Sequence, residues 1–188
     1  RNISINSGVS INSTGGPLNI TLYSNNSGLA PSNSVQPNTP SGAMATQKFG
    51  GISVLGDLSS AGGDIVLAGG YQPSGSFSIY TPPSNPNGYG YAIQFSATAG
   101  AITIGSSLTS SGGHIIINGW TTIGSSSGNY TNPEQSGIYI NSATKNVVVN
   151  SSGGNIYLTG VSSADPTVFG ISFGDGTAFT RTIQTSYT

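Results

Sequence analysis

The sequence predicts an all-β chain folded as a parallel β-helix, or β-solenoid, and three observations carry that expectation. One ten-residue pattern recurs four times, as Ile11 to Ile20, Leu58 to Leu67, Leu108 to Ile117 and Val149 to Leu158. Its form is an aliphatic, three small polar residues, Gly-Gly, any residue, then two aliphatics separated by one position. The first glycines are Gly15, Gly62, Gly112 and Gly153, at intervals of 47 (62−15), 50 (112−62) and 41 (153−112) residues, the range of solenoids and arrays. Between and within the copies, apolar residues alternate at period two, the signature of half-buried strands. Helix signals are missing: no window repeats apolar residues at three- and four-residue spacing.

The strands are short. Ile3-Ser4-Ile5, Val9-Ser10-Ile11, Ile102-Thr103-Ile104, Ile138-Tyr139-Ile140, Val147-Val148-Val149 and Ile156-Tyr157-Leu158 are each bounded by Gly, Asn or Ser. None can bury its apolar side alone, so coils must stack with their aliphatics in columns. The Gly-Gly pairs fit corners, and the small polar residues before them can bond the local backbone. Gly51-Ile52-Ser53-Val54, Gly90-Tyr91-Ala92-Ile93, Gly137-Ile138-Tyr139-Ile140 and Gly170-Ile171-Ser172-Phe173 read as a second recurring element. With it, one repeat spans about two coils of roughly 20 residues. Residues 1–188 form a single domain. Irregular loops near 23–50, 69–90, 118–137 and 159–170 hold nearly all the prolines and gather on one side, with Pro31 to Pro40 the least regular stretch.

Composition narrows the function. Charged residues are 5% of the chain and the net charge is −1, against about 25% charged in an ordinary soluble protein. No basic patch exists to neutralise phosphates, so nucleic acid is excluded as a natural partner, as is a polybasic membrane tether. Solubility rests on Ser, Thr, Asn and Gly, a surface expected of secreted structural chains. With Cys 0, neither a disulfide framework nor a cysteine zinc site can form. No run approaches 18 apolar residues, so no membrane insertion is expected. The chain opens on Arg1 and reads as a mature or excised segment whose targeting information lies elsewhere.

The string Gly-Gly-Asn155-Ile156-Tyr157-Leu158-Thr159-Gly160, with its cousin Gly-Gly-Asp64-Ile65-Val66-Leu67-Ala68-Gly69, resembles the repeats of filamentous-haemagglutinin-like exoproteins exported by two-partner secretion. The resemblance covers most of the chain as a style of repeat. It implies a right-handed parallel β-helix and a long extracellular bacterial fibre used in adhesion, biofilm or contact with other cells. The secretion domain that opens such proteins is not evident here. A shorter string, Gly170-Ile171-Ser172-Phe173-Gly174-Asp175-Gly176-Thr177, is similar to segments of phage tail fibres.

Few residues can carry chemistry. His114, the single histidine, fills the variable place after Gly-Gly that Pro17, Asp64 and Asn155 fill elsewhere, which describes a solvent-facing corner. No Gly-x-Ser-x-Gly elbow accompanies it, and a metal would need further ligands. Asp57 and Asp64 could form the carboxyl pair of a glycoside hydrolase only if the coils bring them together, with turn capping as the plainer role. Asp175 reads as a turn residue. Six Asn-x-Ser/Thr sequons, at Asn2, Asn12, Asn19, Asn25, Asn129 and Asn150, arise readily in so polar a chain. A flat ice-binding face would need a regular Thr-x-Thr column, which the scattered threonines do not supply. The aromatics Tyr80, Trp120 and Tyr130 are the candidate binding residues, offering flat faces to sugar rings or protein surfaces; loop packing is their other reading. Tyr139 and Tyr157 read as a ladder down the outer sheet.

The functional expectation is a non-enzymatic extracellular or cell-surface protein, a fibre segment or subunit acting as adhesin or filament block, with no catalytic residues, metal or cofactor. It assembles with itself through terminal coils 1–11 and 180–188, and its further partners are cell-surface glycans or neighbouring surfaces. A β-helical polysaccharide-degrading enzyme and a phage tail-fibre domain are the alternatives.

Overall fold

The computed structural model describes residues 2–24, 50–70, 89–94, 100–121, 136–162, 169–174 and 179–185. These are all-β, without a helix. The strands run β1 (Ile3–Ile5), β2 (Ile11–Asn12), β3 (Ile20–Ser24), β4 (Ile52–Val54), β5 (Leu58–Ser59), β6 (Ile65–Gly69), β7 (Ala92–Gln94), β8 (Ile102–Ile104), β9 (Leu108–Thr109), β10 (Ile115–Thr121), β11 (Ile138–Ile140), β12 (Val147–Asn150), β13 (Ile156–Val161), β14 (Ile171–Ser172) and β15 (Arg181–Gln184).

Every pairing between them is parallel, and the strands stack into three sheets. Sheet I has the order β1-β4-β8-β11-β14, sheet II the order β2-β5-β9-β12-β15, and sheet III the order β3-β6-β10-β13 with β7 beside β10. A coil is therefore one strand from each sheet: β1-β2-β3, β4-β5-β6, β8-β9-β10, β11-β12-β13, and a fifth begun by β14 and β15. This is the arrangement expected of a β-solenoid, with one correction. One sequence repeat makes one three-sided coil, not two coils.

Burial explains why the pattern folds this way. The inward columns are Ile3-Ile52-Ile102-Ile138-Ile171 on sheet I, Ile11-Leu58-Leu108-Val149-Ile183 on sheet II, and Ile20-Ile65-Ile115-Ile156 with Leu22-Leu67-Ile117-Leu158 on sheet III. Most of these side chains belong to one continuous apolar core, sealed completely in the middle coils. Like side chains sit one rung apart at about 4.8 Å, so each fills the space left by the next.

The glycine pairs serve two purposes. The first member lies at positive φ, +107° at Gly62 and +116° at both Gly112 and Gly153, after a residue itself in the left-handed region, Ala61, Ser111 or Ser152. The second member is a matter of space: a Cβ on Gly113 would lie 2.1 Å from the carbonyl oxygen of Gly63, and one on Gly154 2.0 Å from that of Gly113. Backbone from successive coils touches here, which only glycine permits. Beside the pairs, the buried hydroxyls of Ser110 and Ser151 donate to the carbonyls of Gly113 and Gly154, each at 2.5 Å. Ser110 Oγ also lies 3.2 Å from the Ser151 carbonyl of the next coil.

Two local readings are corrected. Gly90-Tyr91-Ala92-Ile93 is not a sheet I element; Ala101-Ile102-Thr103-Ile104 takes that place, and β7 instead pairs with the far half of β10. In the first copy, Ile20 rather than Leu18 pairs with Ile65, so Leu18 stays 43% exposed while Ile20 is buried. A two-residue slip keeps the same side chains facing inward, so local alternation cannot distinguish the two registers.

Candidate functional site

Positions at the coil corners decide what the molecule presents to its surroundings. At three of them, a side chain of one coil accepts the backbone N–H of the equivalent residue in the next. Asn19 Oδ1 takes the Asp64 N–H at 2.9 Å, Asp64 Oδ1 that of His114 at 2.7 Å, and His114 Nδ1 that of Asn155 at 3.0 Å. Asn2 receives Gly51, Asp57 receives Ser107 and Asn146 receives Thr180 in the same manner. His114 is thus the solvent-facing corner residue the sequence indicates, and its role is a rung of a ladder. In the first coil that rung is Asn19, not Pro17.

The two aspartates weighed as a carboxyl pair are not brought into common use, and each caps a corner. Asp57 bonds Ser106, Ser107 and Lys145 at the corner between sheets I and II, whereas Asp64 stands in the ladder between sheets II and III. Among the described residues no three His, Cys, Asp or Glu side chains are grouped to hold a metal ion.

The corner between sheets III and I has a different construction. After each sheet III strand the chain departs, and it returns against the same point through small residues. Ser24 Oγ donates to the Gly50 carbonyl at 2.6 Å, and the Gly69 N–H to the Gly90 carbonyl at 3.3 Å. A Cβ on Gly119 would meet the Gly137 carbonyl at 2.0 Å, and one on Gly160 the Gly170 carbonyl at 2.1 Å. Four stems stand one above another on this corner. The segments they close carry nine of the ten prolines and four of the nine tyrosines of the chain. Inserted segments of a solenoid collect on one face, and that face is often the one that binds.

Trp120 lies at the foot of these stems, in β10 and not in a loop, with only 5% of its surface exposed. It packs edge to face on the fully buried Tyr91, ring centroids 6.0 Å apart and planes at 78°, with Ile93 and Val161 completing a second small core. Trp120 therefore belongs to strand β10 and packs on Tyr91, which corrects its place in the loop near 118–137. Trp120→Phe is expected to cost about 1 kcal/mol through the space the smaller ring leaves beside Tyr91, Ile93 and Val161, read as a shift of the urea midpoint. Tyr80 and Tyr130 lie outside the described residues, as do Pro31 to Pro40 and Asp175. Tyr139 and Tyr157 do not form a common ladder: Tyr139 is on sheet I, buried, its hydroxyl accepting Asn141 Nδ2 at 2.5 Å, and Tyr157 is on sheet III, beside His114 and half-exposed.

The stems were the feature missed in the sequence, although a signal existed. Gly69, Gly119 and Gly160 each follow the second glycine of a pair by six positions.

Fold and corner together define a stacked-coil repeat protein with four glycine-closed stems along one edge. No family model, curated protein or solved structure matches the chain.

Proposed function

We propose that this chain is a segment or subunit of a non-enzymatic extracellular fibre, a right-handed parallel β-helix that carries irregular inserted segments on one side. The supporting observation is the unbroken stacking: each strand pairs in parallel with its counterpart in the next coil, through core columns that continue from end to end. Such a rod lengthens by adding coils, from the same polypeptide or from another copy. Its outermost described coils are the least covered. Ile3, Ile5, Ile11 and Leu22 at one end and Ile156, Leu158 and Ile171 at the other are only partly buried, with Ile183 37% and Phe173 51% exposed.

Self-association runs through the terminal coils, residues 1–11 and 180–188. The stem corner recognises cell-surface glycans or neighbouring surfaces, at the cell exterior, where a chain without cysteine and nearly without charge stays soluble on Ser, Thr and Asn. Negative-stain electron microscopy with mass measurement tests the assembly. Rods that lengthen with protein concentration are expected. Monodisperse monomers about 24 Å long, five rungs at about 4.8 Å, would overturn the reading.

A further inference from the structure

One hydrogen-bonded path crosses the corner between sheets I and II and joins the second coil to the fifth. Asp57, in the second coil, accepts on a single carboxylate oxygen the hydroxyl of Ser106, the N–H of Ser107 at 3.0 Å and the ammonium of Lys145 at 3.1 Å. Lys145 belongs to the fourth coil and donates to Ser106 as well. Its corner, residues 141–146, is folded on Ser142, whose Oγ accepts the N–H groups of Thr144 and Lys145, each at 3.3 Å. The two ends of the same corner hold the fifth coil. Asn141 accepts a hydrogen bond from the Arg181 guanidinium, and Asn146 Oδ1 accepts the Thr180 N–H at 2.9 Å.

We propose that this corner is an acid-sensitive latch: a proton on Asp57 frees Lys145 and loosens the seat of the fifth coil. The charges make the case. Among the described residues, the corner holds one carboxylate, Asp57, and two cations, Lys145 and Arg181; Lys145 is the charged group in contact with Asp57. Neutral Asp57 can no longer accept from Lys145 with a full negative charge, so the tie between the second and fourth coils weakens. The Ser106 hydroxyl, above all, holds the Asp57 carboxyl below the ordinary aspartate range. The Ser107 N–H and Lys145 act in the same direction, against partial burial. A carboxyl with a lowered folded value gives its full contribution above the unfolded value, about 3.9, and loses it as pH falls through the folded value. The latch is therefore closed at neutral pH and opens only in strong acid. It stands on the corner's geometry and does not depend on the fibre reading.

Amide hydrogen exchange tests it, corrected for intrinsic rates and referred to Ile116 in the central coil. Because both side chains of the ion pair are about half exposed, a modest response is expected. Lys145 and Thr180 amides should exchange about two- to fivefold faster at pH 2 than at pH 7. In Asp57→Asn they should exchange at the faster rate at both pH values. Lys145→Met should abolish the response at Lys145 and Thr180 while leaving it at the Ser107 amide, which bonds Asp57 directly. Equal protection at both pH values in the unaltered chain, or a pH response that persists in Asp57→Asn, would overturn the proposal.

Discussion

Gly113→Ala is expected to lower the stability of the fold by about 3 kcal/mol, at the upper end of what overpacking costs. The added carbon would lie 2.1 Å from the oxygen and 2.4 Å from the carbon of the Gly63 carbonyl, backbone that is itself hydrogen-bonded into the stack. No side chain can swing aside, so two coils must separate at the corner. Gly15→Ala is the matched control. Its Cβ would meet nothing within 4 Å and its φ is not positive, so a change within about 0.5 kcal/mol is expected. Gly112→Ala should fall between: the space is open, but φ of +116° strains any L side chain by about 1–3 kcal/mol. Urea midpoints of the three variants give the order directly. Equal effects of Gly15→Ala and Gly113→Ala would rule out rung contact as the reason for the glycine pair.

Ile115→Ala should cost about 4 kcal/mol, within the range for deleting a large core aliphatic. Ile115 is fully buried in the column between Ile65 below and Ile156 above, and neither neighbour can close the gap without giving up strand pairing on its other edge. Position along the stack should matter as much as size. In a quasi-one-dimensional array each coil is supported by its two neighbours, so a central lesion interrupts the whole column. Ile3→Ala, in the first coil where the side chain is only partly buried, should cost less than half as much. Denaturant titrations of the two variants check both the magnitude and the ratio.

Much of this architecture could be read from residue order. Apart from Val9, which lies outside β2 and is 51% exposed, the period-two aliphatics of the predicted strands fell into the inward columns, the glycine pairs fell at corners, and His114 faced solvent, because each follows from local rules of alternation and turn chemistry. The coil count was misread because Gly90-Tyr91-Ala92-Ile93 has the same local form as Gly51-Ile52-Ser53-Val54. A finer measure was present: Ile52 and Ile102 each precede the first glycine of their pair by ten positions, Gly62 and Gly112, which marks them as equivalents. The sequence pattern puts Trp120 in a loop because its alternation ends at Ile117, whereas β10 continues to Thr121 against β7. That extension depends on a partner strand more than twenty residues away in sequence.

Residue order alone establishes that the chain is an all-β repeat, that alternate aliphatics of its strands turn inward, and where it bends. Those properties are set within a few residues, by steric preference and by the need to hide aliphatic surface. Packing of coil on coil settles how many strands close a coil, that Ile20 and not Leu18 enters the column, that Asp57 and Asp64 serve different corners, and that four glycine-closed stems rise on one edge. The stems close over 10 to 26 positions, and the rest turns on contact between coils some forty to fifty positions apart, where registers of identical local quality differ only in what they meet across the rung.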